Sequence, residues 1–81
     1  MMFSMKKKNI VGTRIRKARL EAKPPITQSD LVARLQLDGL KNIDQPIVSR
    51  IEKGDRIVAD YEIKAIAKAL KVTVGWLLKE K

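Results

Sequence analysis

The side chains best placed to do chemistry lie in one short stretch, residues 44–54, which reads Asp-Gln-Pro-Ile-Val-Ser-Arg-Ile-Glu-Lys-Gly. The stretch is typical of a single helix that begins after a capping residue and ends at a glycine suited to a left-handed cap. Val48 and Ile51 are three residues apart and face one way, which suits burial. The other face presents polar groups and one proline ring, from Gln45, Pro46, Ser49 and Arg50. A helix with such a face fits the DNA major groove, where base edges accept and donate hydrogen bonds.

Residue types that catalysis and metal binding commonly need are missing. The chain has no cysteine and no histidine, which excludes a disulfide frame, a thiolate metal site and the commonest general base. Its 81 residues allow one small domain that buries only ~60% of its unfolded surface, too little for a deep pocket. We therefore expect no enzyme activity, no cofactor, no metal and no small-molecule ligand.

The charge of the chain is strongly positive. Lys and Arg number 18 against 9 Asp and Glu, a formal net charge of +9. This excess favours polyanionic partners, nucleic acid before an anionic membrane surface, although solubility alone is another explanation. A membrane-surface helix would need its apolar face for lipid, and here the apolar faces are needed for a core. No apolar run approaches ~20 residues and no secretory signal opens the chain, so a soluble intracellular protein is expected.

The first eight residues differ from the rest. They show no apolar periodicity and end in three lysines, which predicts a flexible basic arm over residues 1–8. Met5 is an alternative start. Residues 9–81 then form the single domain.

Apolar periodicity predicts five helices and no strand longer than three residues, which indicates an all-α domain. The first helix runs from about Asn9 to Ala22 and is stopped by two prolines. Thr27, with a carboxylate three residues later at Asp30, predicts the capped start of the second helix, which fades near residues 37–39. The stretch described above is the third helix. A fourth begins at Ala59 or Asp60, and the last, residues 74–79, follows a capping Thr73.

Five blocks of this sequence, taken in order, resemble the Xre/Cro family of phage-repressor-like helix-turn-helix domains. The blocks are Arg19; Thr27-Gln28 with Leu31; residues 48–54, VSRIEKG; residues 65–72, AIAKALKV; and residues 76–78, WLL. The resemblance covers about Asn9 to Lys79. One departure is the connector before the third helix, residues 36–43, which is longer than the ~3–4-residue turn of the ordinary motif.

The resemblance implies a five-helix lambda-repressor-like fold and sequence-specific binding of double-stranded DNA. It implies a transcriptional regulator, usually a repressor, that is cytoplasmic and nucleoid-associated in a prokaryote. Homodimers are usual, with half-sites one turn apart, ~34 Å. The last helix, with Val74, Trp76 and Leu77, is our candidate for the dimer surface. Because one fold serves several uses, an antitoxin-like or adaptor module that binds a protein is the alternative.

Individual residues also receive roles, which the resemblance implies for Gln28, Gln45 and the Arg19–Glu52 pair and which position and side-chain chemistry suggest for the others. The base-reading set is Gln45, Pro46, Ser49 and Arg50, with Arg50 on guanine or on a phosphate and Ser49 on DNA or its own helix. The expected phosphate contacts are Thr27, Gln28, Lys41, Asn42, Lys53 and Arg56. Arg19 and Glu52 are expected to form an ion pair that ties the first helix to the third. The residue before a proline avoids helical geometry, so either Asp44 or Gln45 caps the third helix.

Overall fold

A computed structural model describes residues 7–79, and within that range every regular element is a helix. The five helices are α1 (Gly12–Glu21), α2 (Gln28–Leu37), α3 (Gln45–Glu52), α4 (Asp60–Leu70) and α5 (Val74–Leu78). The all-α fold class and the number of helices expected from the sequence are confirmed. Residues 1–6 of the predicted arm and the last two residues of the chain lie outside the described range. Within it, every helix is too short or too polar to cross a bilayer.

One aliphatic core joins the helices. Among residues 7–79 its buried members are Val11, Ile15, Ile26, Leu31, Leu35, Ile43, Val48, Ile51, Ile66, Ala67, Leu70 and Leu77. They come from every helix, from two connectors and from Val11 just before α1, and none is aromatic. The core holds α3 by one face, since Val48 and Ile51 are buried while the residues between them are more exposed.

Short-range capping explains where α2 begins. Thr27 Oγ1 accepts a hydrogen bond from the Asp30 N–H at 2.9 Å, and Asp30 Oδ2 accepts one from the Thr27 N–H at 3.2 Å. The predicted reciprocal cap is therefore present. Thr73 Oγ1 caps α5 by accepting a hydrogen bond from the Trp76 N–H at 3.0 Å, as the sequence also predicted.

Removal of the Thr27 cap tests how much this cap stabilises the fold. We expect Thr27→Ala to lower the free energy of unfolding by about 1 kcal/mol, because the Asp30 N–H loses its acceptor. Urea denaturation without DNA measures the change, and Thr13→Ala, at an exposed position inside α1, is the control. A loss no larger than the control's would show that the cap contributes nothing.

The start of α1 differs from the sequence prediction, whereas α4 starts at one of the two residues predicted for it. α1 begins at Gly12, not near Asn9, because Asn9 Oδ1 accepts from the N–H groups of Val11 and Gly12 at 3.0 and 2.8 Å. Asn9 therefore lies before the helix. Asp60 is the first residue of α4. Ala59 takes the cap position, because Glu62 Oε1 reaches back to accept its N–H at 2.9 Å.

The long connector before α3 has a fixed path. It spans residues 38–44 and turns at Gly39, whose φ of 99° is easily adopted only by glycine. The N–H of Leu40 donates to the Leu35 carbonyl at 2.9 Å, and Gln36 Nε2 donates to the Ile43 carbonyl at 3.2 Å. Ile43 is buried in the core and anchors the connector, so the extra residues do not leave the orientation of α3 undetermined.

Candidate nucleic-acid interface

Asp44 fixes the start of α3. Its Oδ1 accepts a hydrogen bond from the Ile47 N–H at 3.1 Å, and its own backbone is extended. Gln45 is then the first helical residue and Pro46 the second, where a missing N–H removes no helical bond. Of the two capping residues left open by the sequence, the structure selects Asp44. Gln45 accordingly projects from the leading tip of the helix.

The outer face of α3 is open to solvent. Gln45, Pro46 and Arg50 are exposed, and Ser49 is half-buried. Ser29 Oγ, in the first turn of α2, donates to Gln45 Oε1 at 3.1 Å. This contact orients the amide, and its NH₂ group bonds no residue in the described range. The Arg50 guanidinium bonds no residue in the range 7–79, so both groups are available to a ligand.

A bidentate ion pair holds α3 from behind. Arg19 Nε and Nη2 donate to Glu52 Oε2 and Oε1 at 2.6 and 2.8 Å, and Nη1 donates to the Ile26 carbonyl at 2.9 Å. Arg19 is 7% exposed and Glu52 8%. The hydrogen bond to Glu52 raises the pKa of Arg19 above its ordinary value. The structure thus brings together the two residues assigned to this pair and joins α1 to the last turn of α3.

Gln28, a candidate phosphate ligand, lies in the same network. Its Nε2 donates to Glu52 Oε1 at 3.1 Å, and the residue is half-buried. Thr27, another candidate, caps α2 with its hydroxyl. Both therefore have structural partners in this conformation. The first turn of α2 still lies beside the tip of α3, as the contact between Ser29 and Gln45 shows.

The flanking candidates fall into two groups. Lys41, Asn42 and Lys53 are exposed, and their side chains bond no residue in the described range. Arg56 is half-buried and pairs with Glu62 through two hydrogen bonds of 3.1 and 3.3 Å. Burial raises the pKa of Glu62, but the bonds from Arg56 and the Ala59 N–H outweigh it and leave that pKa below its ordinary value. Arg56 therefore links the loop after α3 to α4.

Asn9 is a site residue that the sequence did not reveal. Its Nδ2 donates to the carbonyls of Ile51 and Arg56 at 3.1 and 2.8 Å, while its Oδ1 caps α1. One amide therefore joins the start of α1 to the end of α3. Gly12 permits this approach, because an added Cβ would collide with the Ile51 carbonyl oxygen. An asparagine before a helix signals a cap, but its two long-range bonds have no local sequence signal.

The end of the predicted arm lies beside the end of α3. The Lys8 N–H donates to the Gly54 carbonyl at 2.8 Å, and Lys7 Nζ donates to the Lys53 carbonyl at 3.2 Å. Gly54 has a φ of 81°, and the Lys7 side chain occupies the space that a Cβ would take. Lys7 and Lys8 therefore lie next to the end of α3.

The candidate dimer surface on α5 needs a correction. Leu77 is 0% exposed and belongs to the core, so it is not available to a second copy. Trp76 is half-buried and lies under the Arg14 guanidinium, whose Cζ is 3.9 Å from the ring centroid. Leu78 is the large apolar side chain that α5 exposes, at 38%.

Comparison with known proteins places the chain in a family. No curated protein and no solved structure matches it. The model of a helix-turn-helix family matches residues 15–77, from within α1 to within α5 and well over half of the chain. The matched range includes α3, the ion pair behind it and the first turn of α2. The chain belongs to the Xre/lambda-repressor-like helix-turn-helix family, a family of DNA-binding regulators.

Proposed function

We propose that this protein represses transcription by binding specific double-stranded DNA sites as a homodimer, with α3 in the major groove. The observation that carries the proposal is the division of α3 into two faces. Its inner face is held by the core and by the Arg19–Glu52 pair, while its outer face presents the Gln45 amide and the Arg50 guanidinium to solvent. A rigid support with open hydrogen-bonding groups is what base reading requires.

The outer face supplies the chemistry of base reading. The Gln45 amide, oriented by Ser29, pairs with adenine N6 and N7, and Arg50 pairs with guanine O6 and N7. Ser49 reaches a base or a phosphate, and the Pro46 ring packs on a thymine methyl group. Gln45 and Arg50 carry most of the specificity, because they alone offer bidentate pairing.

Phosphate contacts surround this face. The exposed side chains Lys41, Asn42 and Lys53 are the strongest candidates, because they have no competing partner among the described residues. Thr27 and Gln28 lie at the start of α2, where a helix N-terminus attracts an anion. Arg56 would have to leave Glu62 to reach a phosphate. The predicted basic arm, residues 1–8, adds further contacts from beside Gly54.

The proposed assembly follows from the size of the reading surface. A single eight-residue helix covers too few base pairs for useful discrimination in a genome. Two copies read two half-sites about one helical turn apart, ~34 Å. Occupation of such a site by a dimer blocks access to the DNA, which is the simplest route to repression.

Selection of binding sites from random duplexes tests the proposal. We expect the full chain to enrich a palindrome whose half-site centres are ~10 base pairs apart. Affinity for the selected duplex should fall steeply between 50 and 200 mM salt, as phosphate contacts require. A library that shows no enriched sequence after selection would refute sequence-specific binding.

Lys53 tests the phosphate contacts separately. We expect Lys53→Ala to weaken binding to all duplexes by a similar factor and to lower the salt slope by about 1, because one counterion-releasing contact is lost. Fluorescence anisotropy across a salt series measures both. The matched control is Lys79→Ala, an exposed lysine after α5, which should change neither. An effect confined to one base position would assign Lys53 to base reading instead.

A further inference from the structure

A second surface, not part of the α3 face, lies between α2 and α4. Two adjoining cavities of about 360 and 270 Å³ share Asp38, Ala65 and Lys68 and form one groove. We call it the α2–α4 groove. Its lining side chains on α4 recur at helical spacing, at positions 61, 64, 65 and 68, so they form the outer face of that helix. The inner face of α4, with Ile66 and Leu70, is buried in the core.

The groove exposes apolar surface. Leu37, the last residue of α2, is 89% exposed, and Tyr61, in the first turn of α4, is 62% exposed. Ala65 and Ala69, which are half-buried, contribute small side chains between them. An isolated exposed leucine is ordinary, but a leucine and a tyrosine that border one concave surface provide places for apolar side chains of a partner.

The charges around the groove are mostly of one sign. Its lining contains four cations, Arg34, Lys64, Lys68 and Lys71, and one carboxylate, Asp38. Lys68 pairs with Asp38 at 3.1 Å, and Arg34 Nη1 donates to the Ala69 carbonyl at 2.8 Å. The side chains of Lys64 and Lys71 bond no residue in the described range and are exposed. The groove therefore offers unpaired positive charge beside apolar surface.

Lys71 has an unusual backbone. It ends α4 with φ 62° and ψ 38°, the left-handed conformation that glycine usually supplies at a helix C-terminus. Among residues 7–79, the other positive φ angles belong to Gly39 and Gly54. A lysine at this position costs backbone energy that glycine would not. A binding role for the ammonium group at the end of the groove would account for this cost.

We propose that the α2–α4 groove binds an acidic, amphipathic segment of a partner protein. Carboxylates of the segment contact Lys64 and Lys71, and its apolar side chains cover Leu37 and Tyr61. The residues that line the groove include none from α3. A DNA backbone is a poorer fit than an amphipathic segment, because its phosphates would contact the cations but would not cover the exposed leucine and tyrosine.

The experiment screens displayed random 14-residue peptides against the 81-residue chain. We expect enrichment of peptides rich in Asp and Glu with apolar residues at helical spacing. The double variant Lys64→Glu, Lys71→Glu should weaken their binding by about tenfold, and Leu37→Ser should also weaken it. The matched controls are Arg16→Glu with Lys79→Glu, the same charge change on other surfaces, and Ile57→Ser, an exposed apolar residue outside the groove. The controls matter because a chain of charge +9 attracts acidic peptides generally.

Lys71→Gly separates binding from folding. We expect this variant to melt no lower than the wild type, because glycine adopts the left-handed conformation readily, and yet to bind the selected peptides more weakly. Three results would overturn the proposal. They are a screen with no acidic enrichment, equal loss of binding in the control variants, and groove variants that lower the salt slope of DNA binding but leave peptide binding unchanged.

Discussion

Replacing Glu52 with glutamine is expected to lower the free energy of unfolding by about 3–5 kcal/mol, because a buried arginine charge is left without its partner. Arg19 is 7% exposed and directs two of its nitrogens to Glu52. A neutral amide keeps the shape of the side chain but not its charge. Such a loss is a large part of the stability of a small domain. Urea denaturation of the DNA-free protein measures it.

The surface pair Lys17–Glu21 is the matched control. Its atoms are 3.4 Å apart, but both side chains are more than half exposed, so Glu21→Gln should change the stability by less than about 1 kcal/mol. The double variant Arg19→Met, Glu52→Leu should be less destabilised than Glu52→Gln, because no buried charge remains. If Glu52→Gln lowered the free energy of unfolding no more than Glu21→Gln does, the Arg19–Glu52 pair would not be what holds α3 to α1.

Features that depend on a few neighbouring residues could be predicted from the sequence. α2 and α5 each begin after a threonine whose hydroxyl accepts a hydrogen bond from the N–H three residues later. Both starts were found where the sequence placed them. The aliphatic stripes likewise identified Val48 and Ile51 as buried. Hydrophobic spacing and capping act within one or two turns, so a single sequence contains all that they require.

Features that depend on contacts between distant residues could not be predicted in this way. Asn9 lies before α1, and its Nδ2 donates to the carbonyls of Ile51 in α3 and of Arg56 in the loop after it, 42 and 47 positions away. Leu77 was a candidate for a dimer surface, yet it fills the core. In both cases the residue type has two plausible uses, and only packing selects one.

The candidate site shows the same division. Resemblance placed Arg19 beside Glu52 and Gln45 at the tip of α3, and the structure puts those residues there. It did not indicate that Ser29 orients the Gln45 amide or that Gln28 bonds Glu52. These contacts connect the reading face to the buried ion pair through α2. Damage to the pair is therefore expected to affect DNA binding as well as stability.

Arg50→Ala is expected to weaken binding to the selected duplex by about 1–3 kcal/mol and to relax discrimination at one base pair of each half-site. The guanidinium is exposed and bonds no residue in the range 7–79, so the stability of the DNA-free protein should change by less than about 0.5 kcal/mol. Anisotropy measurements against duplexes with each base substituted in turn give the affinity and its dependence on position.

The comparison with Lys53→Ala decides what Arg50 does. Removal of a base contact lowers the preference at one base position and leaves the salt slope of binding unchanged. Removal of a phosphate contact weakens binding to every duplex alike and lowers the salt slope by about 1. Arg50 lies on the outer face of α3, one turn after Pro46, and Lys53 lies just past its end. If both variants weakened all duplexes equally, Arg50 would be a phosphate ligand, and base reading would rest on Gln45 and Ser49 at the leading half of the helix.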